Sequence, residues 1–216
     1  MPAEQRSCTT ARRLDPLPRC SILVESRRTA GPDRERVQGL PEPALPEPAP
    51  LILTLQMDEA AFATFDGLRR RHFPEALNHI PAHATLFHHL PGEDVAGVTE
   101  TVTALARTQS APEVAVTGVR FTGRGVAYVL ESEALSAFRG RVAAAFREHL
   151  TAQDRQGWRP HVTVQNKVAP ETARALHAAL TQDFAPSHFH APGVLLWRYL
   201  GGPWERVATI AFGDAA

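Results

Sequence analysis

The sequence has few cysteines and no long apolar run, and each absence excludes a class of protein. Cys8 and Cys20 are the only cysteines among 216 residues, so no disulfide framework is expected and a reducing setting fits. No apolar run reaches the roughly 18 residues that a membrane-spanning helix needs. Residues 1–20 also lack the apolar segment of a secretory signal. We therefore expect a cytoplasmic protein without a membrane span.

The charges of the chain cancel. The sequence contains 23 basic and 23 acidic side chains, which give a formal net charge of +0. A field over the whole molecule that would attract polyanions is therefore absent. Any phosphate or nucleic acid must be bound in a local cleft, which favours a small or end-on substrate over a long duplex.

The amino-acid composition of the sequence changes near residue 50. Residues 1–49 are rich in Arg and Pro and end in a Pro-Glu-Pro near-repeat, a composition typical of an extended, solvated segment. We predict a disordered N-terminal extension without a function of its own there. Residues 50–216 have the apolar patterning of a single folded domain.

Hydrophobic periodicity within this domain predicts strands interspersed with helices. Strands are expected at 51–56, 82–90, 114–121, 126–131, 158–168, 188–200 and 205–212. Helices are expected from 58 to 72, from 93, from 133 to 149 and from 170 to 182. Gly-containing turns join 114–121 to 126–131 and 188–200 to 205–212, which predicts two β-hairpins.

Two His-x-Thr-hydrophobic tetrads lie in apolar strands. They are His83-Ala84-Thr85-Leu86 and His161-Val162-Thr163-Val164. Each histidine precedes an acidic helix start by ten residues, at Glu93 and Glu171, and a hairpin follows each helix. This repeated order indicates an internal duplication. We therefore predict an α+β fold of two lobes, with mainly antiparallel sheets, outer helices and both tetrads across one central cleft.

The tetrads have the residue types that phosphodiester cleavage requires. Side chains alternate along a strand, so the histidine and the threonine of each tetrad share one face. One neutral imidazole can accept a proton from the nucleophile and the other, protonated, can give one to the leaving oxygen. The threonine hydroxyls can donate hydrogen bonds to phosphate oxygens. This scheme requires neither a metal nor another cofactor, and it does not say which histidine is the acid.

The tetrads resemble the paired motifs of the 2H phosphoesterases, and Arg159-Pro160 directly before the second one adds to the likeness to the 2′-5′ RNA ligase-like branch. The resemblance spans about residues 50–216. It implies a bilobal, pseudo-twofold fold and a metal-independent phosphodiesterase with catalytic His83 and His161. It also implies substrates such as 2′,3′-cyclic phosphates or 2′-5′-linked esters of RNA ends and small nucleotides, with RNA ligation as the reverse reaction. We expect a monomer.

Further residues are candidates for substrate binding. Thr85, Thr163, Arg159, Lys167 and Tyr199 form the predicted set. Other candidates are Arg120 and Arg124 for phosphate, and Trp158, Trp197 and Trp204 for a base. Each arginine or lysine could equally be a solvated surface charge, and each aromatic a core residue. The alternative to an enzyme is a non-catalytic RNA- or nucleotide-binding module with the same cleft.

The segment that follows the second tetrad departs from the branch. The ligase-like proteins often have an Arg or Lys close behind this tetrad, whereas here Gln165 and Asn166 precede Lys167. A different set of phosphate contacts, and so a different substrate, is therefore an open alternative.

Overall fold

The computed structural model describes residues 48–213. The predicted extension lies outside these residues except for its last two positions, and residues 214–216 also lie outside them. The strands are β1 (Leu51–Gln56), β2 (Thr85–Leu90), β3 (Glu113–Phe121), β4 (Val126–Glu131), β5 (His161–Gln165), β6 (Ser187–His190), β7 (Gly193–Tyr199) and β8 (Trp204–Ala211). The helices are α1 (Glu59–His72), α2 (Val95–Arg107), α3 (Glu133–Ala145), α4 (Ala152–Arg155) and α5 (Pro170–Gln182), with a 3-10 turn at Glu75–Leu77.

The helix starts follow the local signals in the sequence. The side chain of Asp58 accepts the Ala61 N–H and so caps α1, and Asp94 caps α2 in the same way. Pro170 occupies the first position of α5, where its missing N–H costs nothing. The predicted starts of these three helices are confirmed to within two residues.

Two four-stranded sheets of the same design form the domain. One has the order β2-β1-β7-β8 and the other β5-β4-β3-β6, and all neighbouring strands are antiparallel. In each sheet a tetrad strand is at the edge and pairs with the strand that precedes it in the chain. The structural repeats therefore run from β1 to β3 and from β4 to β7, rather than from each tetrad to the hairpin after it. Helix α2 packs against β8 and α3, whereas α5 packs against β3 and β4. The predicted α+β fold with two antiparallel lobes is confirmed.

The two repeats exchange strands, which the sequence did not reveal. Strand β3 ends the first repeat but belongs to the sheet of the second, and β7 of the second repeat pairs with β1 of the first. A tight turn explains the first exchange, because the Thr122 N–H donates to the Gly125 carbonyl while Gly123 takes a φ of 87°. This turn joins β3 to β4 as the predicted hairpin, so β3 must lie in the sheet of β4.

The long strand predicted over residues 188–200 is wrong. It is interrupted at Ala191 and Pro192, so that β6 pairs with β3 in one sheet and β7 pairs with β1 and β8 in the other. Proline has no N–H to donate and cannot continue a central strand. The chain therefore changes sheets at this point and links the two lobes.

Buried side chains from both sheets join in one hydrophobic core. Leu51, Leu53 and Leu55 of β1 are buried together with Phe87 of β2, and Val162 and Val164 of β5 belong to the same cluster. Among the described residues, no helix has the length and apolar character needed to cross a bilayer.

Candidate functional site

Each tetrad lies at the start of an edge strand. His161 is the first residue of β5, whereas His83 lies two residues before β2 in the extended segment that leads into it. Both histidines and both threonines are partly exposed, and the residues between them, Ala84 and Val162, are buried. This alternation confirms the predicted shared face of the histidine and threonine side chains in each tetrad.

A β-bulge follows the threonine in both tetrads. Thr85 pairs with Thr54 but the next pair is Phe87 with Leu53, so Leu86 is an extra residue on β2. On β5, Thr163 pairs with Ala127 and the next pair is Gln165 with Val126, so Val164 is the extra residue. A bulge bends its strand and changes which side chains share a face. The two tetrads therefore match in backbone construction as well as in sequence.

The threonine carbonyl of each tetrad accepts a hydrogen bond from a side chain that precedes the other tetrad. Trp158 Nε1 donates to the Thr85 carbonyl at 2.9 Å, and Arg69 Nη1 donates to the Thr163 carbonyl at 2.9 Å. These carbonyls lie on edge strands, where buried acceptors need partners outside the sheet. The reciprocal bonds fix the two tetrads relative to each other.

Side chains of helix α1 bind the backbone of the segment that precedes the first tetrad. Asp66 Oδ1 accepts the Ala82 N–H at 3.0 Å, directly before His83, and Arg69 Nε donates to the Ile80 carbonyl at 3.0 Å. Both residues are buried, so α1 presents buried polar groups that hold the backbone of both tetrads in place.

Both imidazoles are oriented in the same way. His83 Nδ1 lies 2.8 Å from the Pro81 carbonyl, and His161 Nδ1 lies 2.8 Å from the Arg159 carbonyl, in each case two residues earlier in the chain. A carbonyl can only accept, so each Nδ1 carries the hydrogen. Nε2 is consequently left for a ligand in both rings.

The surroundings lower the pKa of both histidines, but unequally. Burial lowers the pKa of His83 from 6.5 to about 4, with Arg69, His161 and His88 acting in the same direction against the hydrogen bond to Pro81. Burial also lowers the pKa of His161, helped by the charges of Arg120 and His88 and opposed by the hydrogen bond to Arg159. The His83 ring packs on the Trp204 ring at 4.9 Å between centroids, which explains its stronger burial. Without a ligand, the neutral form is favoured at both positions.

The histidine and the threonine of both tetrads line one cavity of about 830 Å³. His83, Thr85, His161 and Thr163 all line it, and so does the predicted phosphate contact Arg159. Its other lining residues are Leu86, His88, Arg120, Arg139, Gln153, Asp154, Gln156, Gly157 and Trp158. The arrangement can place one phosphate between two imidazoles and two hydroxyls.

Arg120 reaches this cavity by pairing across the sheet. It stands opposite Ala127, which in turn stands opposite Thr163, so the three side chains lie in one row on the same face. The methyl group of Ala127 is the smallest side chain with a Cβ, which leaves the row open for the guanidinium.

The remaining predicted contacts lie elsewhere. Lys167 lies beyond the end of β5, at a φ of 61°, and is not among the residues that line the cavity. Tyr199 is at the far end of β7, 41% exposed, and pairs with Trp204 in the backbone ladder without lining the cavity. Arg124 donates from Nε to the Val168 carbonyl at 3.2 Å.

Sequence reasoning missed several cavity residues. His88 and Asp154 line the cavity and contact each other, with His88 Nδ1 3.1 Å from Asp154 Oδ1. Arg139 also lines it, while donating to the carbonyls of Leu86 and Asp154. Strict strand alternation from His83 excludes His88 from this face. Only the bulge at Leu86 places it there, and the sequence has no clear signal for that bulge.

A second cleft of about 400 Å³ adjoins the cavity at His83. Its walls include the aromatic side chains of Phe62, Trp197 and Trp204 together with Arg206. Trp197 Nε1 donates to Thr54 Oγ1 at 2.8 Å, which fixes the indole ring. The cleft thus offers flat apolar faces directly beside one of the two tetrad histidines.

No metal-binding constellation stands out in the part of the chain that the structure describes. Within residues 48–213, no group of three or more His, Cys, Asp or Glu side chains is arranged to hold an ion. The tetrads and their neighbours offer hydroxyls and guanidinium groups, which suit phosphate oxygens, together with imidazoles, which can bind either a phosphate or a metal ion.

Comparison with known proteins agrees with this architecture. The crystal structure of TT0787 from Thermus thermophilus has a TM-score of 0.55 and 16% sequence identity, over 77% of this chain and 100% of that one. That of LigT from E. coli, complexed with 3′-AMP, has a TM-score of 0.47 and 18% identity, over 77% and 99%. The first shares the fold. No curated protein sequence matches the chain significantly.

The sequence itself matches a family. A family profile described as the 2′-5′ RNA ligase superfamily matches residues 57–203, which include both tetrads and most of the domain. The resemblance inferred from the tetrads is thereby confirmed. This chain belongs to the 2′-5′ RNA ligase superfamily.

Proposed function

We propose that this protein is a metal-independent phosphodiesterase that acts on 2′,3′-cyclic phosphates or 2′-5′-linked esters of RNA and nucleotides by two-histidine acid–base catalysis. The superfamily supports a phosphoesterase-type function in general. The observation that carries the specific proposal is the common cavity, in which two imidazoles with matched orientation and two threonines line one space.

The unequal pKa values suggest how the roles divide. His83, whose pKa is lowered to about 4, is neutral at physiological pH and can therefore accept a proton as the general base. It takes a proton from the attacking water as the water oxygen bonds to phosphorus. His161, whose pKa is lowered less strongly, is the acid. It gives its proton to the ribose oxygen as the P–O bond to that oxygen breaks.

Binding of the negatively charged phosphate favours the protonated form of His161, which the acid role requires. An anion bound in the cavity favours a protonated imidazole beside it and so raises the pKa of His161 towards the working pH. Thr85 and Thr163 then donate hydrogen bonds to the non-bridging oxygens, on which charge builds in the transition state. Arg120, in the same row as Thr163, supplies a positive charge on that side.

The adjoining aromatic cleft favours nucleotides over other phosphodiesters. Stacking on an aromatic side chain stabilises a base by about 1–3 kcal/mol and tolerates any base. Trp204 touches the His83 ring and lines that cleft, so a base in the cleft would belong to the same molecule as the phosphate in the cavity. We propose a monomeric, cytoplasmic enzyme acting on RNA ends or small nucleotides.

The experiment is product identification with cyclic and 2′-5′-linked substrates. Adenosine 2′,3′-cyclic phosphate, an RNA with a 2′,3′-cyclic end and a 2′-5′-linked dinucleotide are incubated with the protein, with and without EDTA, and the products are separated by chromatography. We expect a monophosphate product from at least one substrate, at a rate that EDTA leaves unchanged. Joining of RNA ends in the same assay would identify the reverse reaction.

Two outcomes would contradict the proposal. Binding of all three substrates without turnover would indicate a non-catalytic module, and loss of activity in EDTA would indicate a metal-dependent mechanism. His89→Ala is the matched control for His83→Ala, because His89 is exposed on β2, the strand that His83 leads into, and does not line the cavity.

A further inference from the structure

A third imidazole lines the cavity that holds His83 and His161. His88 lies between Phe87, which pairs with Leu53, and Leu90, which pairs with Leu51, so that His88 and His89 together face the single residue Ile52. This is a second irregularity in β2, directly after the bulge at Leu86. The side chain of His88 is 50% exposed and faces the cavity. His89 is exposed but does not line it.

A buried carboxylate holds this imidazole. Asp154 is 2% exposed and accepts the backbone N–H groups of His88 and His89 at 3.0 Å each, together with His88 Nδ1 at 3.1 Å. Thr151 Oγ1 donates to the same carboxylate at 3.3 Å. Burial alone would raise the pKa of Asp154, but the hydrogen bonds from His88 and His89 lower it below its usual range. Asp154 is therefore a carboxylate, and His88 donates from Nδ1 and turns Nε2 away from it.

Arg139 supports the same arrangement. Its Nη2 donates to the Asp154 carbonyl at 2.7 Å and its Nε to the Leu86 carbonyl at 3.0 Å, while the guanidinium lies 4.7 Å from the Phe87 ring centroid. The backbone of the bulge and that of α4 are thus joined by one side chain. The orientation of His88 is built into the fold rather than left to a free surface rotamer.

The cavity has more groups suited to anions than one diester uses. The two tetrads already provide two imidazoles and two hydroxyls for the scissile phosphate. Arg120, Arg159 and His88 line the same space. Among the described residues that line it, Asp154 is the only acidic one, and both of its carboxylate oxygens are engaged by hydrogen bonds. Leu86 and Phe87 separate His88 from Thr85 along the strand, so His88 lies beside the group bound by the tetrads rather than on it.

We infer that His88 binds a second phosphate of the substrate, next to the scissile one, and that Asp154 is the residue that positions it. This inference rests on the proposed function, because it takes the tetrads as the site of the scissile phosphate. It narrows the substrate class to molecules with two neighbouring phosphates, either a nucleotide with an additional 5′-phosphate or an RNA end with an internucleotide phosphate.

Calorimetric titration tests the inference without requiring turnover. The probes are adenosine 2′-phosphate, adenosine 2′,5′-bisphosphate and a diadenosine that carries a terminal 2′-phosphate. We expect the wild-type protein to bind at least one two-phosphate probe about tenfold more tightly than the monophosphate, the size of one charge-assisted hydrogen bond. Preference for the bisphosphate identifies a terminal phosphate, and preference for the dinucleotide an internucleotide one.

Two variants isolate the imidazole. In His88→Ala the backbone N–H that Asp154 holds is retained, and we expect the tenfold preference to fall to about one. The matched variant His89→Ala should keep it. Equal binding of all three probes by the wild type, or a preference that survives His88→Ala, would overturn the inference. If the preference follows His88 but no cyclic phosphate is hydrolysed, the second phosphate site stands and the proposed function fails.

Discussion

The two tetrad strands match up to their fourth residue and diverge after it. In both, Nδ1 of the histidine binds a carbonyl two residues earlier, the threonine carbonyl accepts a bond from the other half, and a bulge follows. After the bulge, β2 continues and His88 enters the cavity. Strand β5 instead ends, with Lys167 at a φ of 61° after Asn166.

Under the proposed function, this difference separates the residues that perform the chemistry from those that recognise the substrate. The features that both halves share are those that two-histidine catalysis needs twice, an oriented imidazole and a hydroxyl. The features present in only one half are the Trp204 ring against His83 and the carboxylate-held His88. The first packs against the histidine whose pKa is lowered to about 4, and the second gives the cavity a third imidazole.

The largest expected effect tests the shared part. His83→Ala and His161→Ala should each lower kcat about 100- to 10,000-fold, the contribution of one acid or base, without loss of the fold. The measurement is initial rate with adenosine 2′,3′-cyclic phosphate, alongside circular dichroism. If one variant kept wild-type activity, the functional equivalence of the two tetrads would be disproved.

The threonines sharpen the same comparison. Thr85→Val and Thr163→Val keep the shape of the side chain and remove the donor, so each should lower kcat by roughly 100-fold. Matched backbone construction predicts losses of similar size in the two halves. A loss confined to one threonine would show that the phosphate is held from one lobe only.

The segments that follow the two bulges should differ in how much they contribute to the free energy of unfolding. Asp154→Ala leaves the N–H groups of His88 and His89 without their acceptor and should lower the free energy of unfolding by about 1–3 kcal/mol. Asn166→Ala is the counterpart in the other half, where the exposed side chain accepts only the Lys167 N–H. We expect a change below about 0.5 kcal/mol there. Urea unfolding measures both, and equal values would remove the structural role given to Asp154.

The pH dependence tests the unequal histidines. The base must be neutral, so kcat/KM should fall as the pH drops through about 4, the pKa of His83. The acid must be protonated, so kcat/KM should also fall as the pH rises through the pKa of His161, which lies below 6.5. The optimum is therefore expected between these limits.

A variant that removes the ring packed on His83 tests whether the acidic limb of the pH profile belongs to this histidine. Trp204→Leu exposes the His83 ring, so the acidic limb of the profile should move up towards 6.5 while the other limb stays in place. An optimum above about pH 7 in the wild type, or an acidic limb that ignores Trp204, would contradict the assignment of His83 as the base.

Much of the architecture could be predicted from the sequence because its signals are local. Asp58 and Pro170 mark helix starts, the turn at Gly123 marks a hairpin, and the His-x-Thr alternation marks a shared face. The strand exchange between repeats could not be predicted, because pairing partners of distant strands have no local signature. The break between β6 and β7 does have a local signal, which is Pro192. The apolar residues on both sides of it nevertheless favoured one continuous strand.

The cavity shows the same division. Thr85 and Thr163 follow from spacing alone, and Arg159 from its place beside the second tetrad. His88 depends on a bulge and on a carboxylate 66 residues away, and neither can be inferred from strand periodicity. Lys167 has the charge that the family often places behind the second tetrad, but β5 ends at Gln165, short of the strand end predicted at residue 168.

The proposed mechanism requires two imidazoles to meet at a single phosphate, and nitrogen NMR of the histidine rings tests this directly. Adenosine 2′-phosphate is titrated into protein with 15N-labelled histidine, with His83→Ala and His161→Ala used to assign the signals. We expect the Nε2 signals of His83 and His161 to shift together, with one Kd and at one equivalent of ligand. A shift of only one of them, or shifts at separate ligand concentrations, would contradict the account.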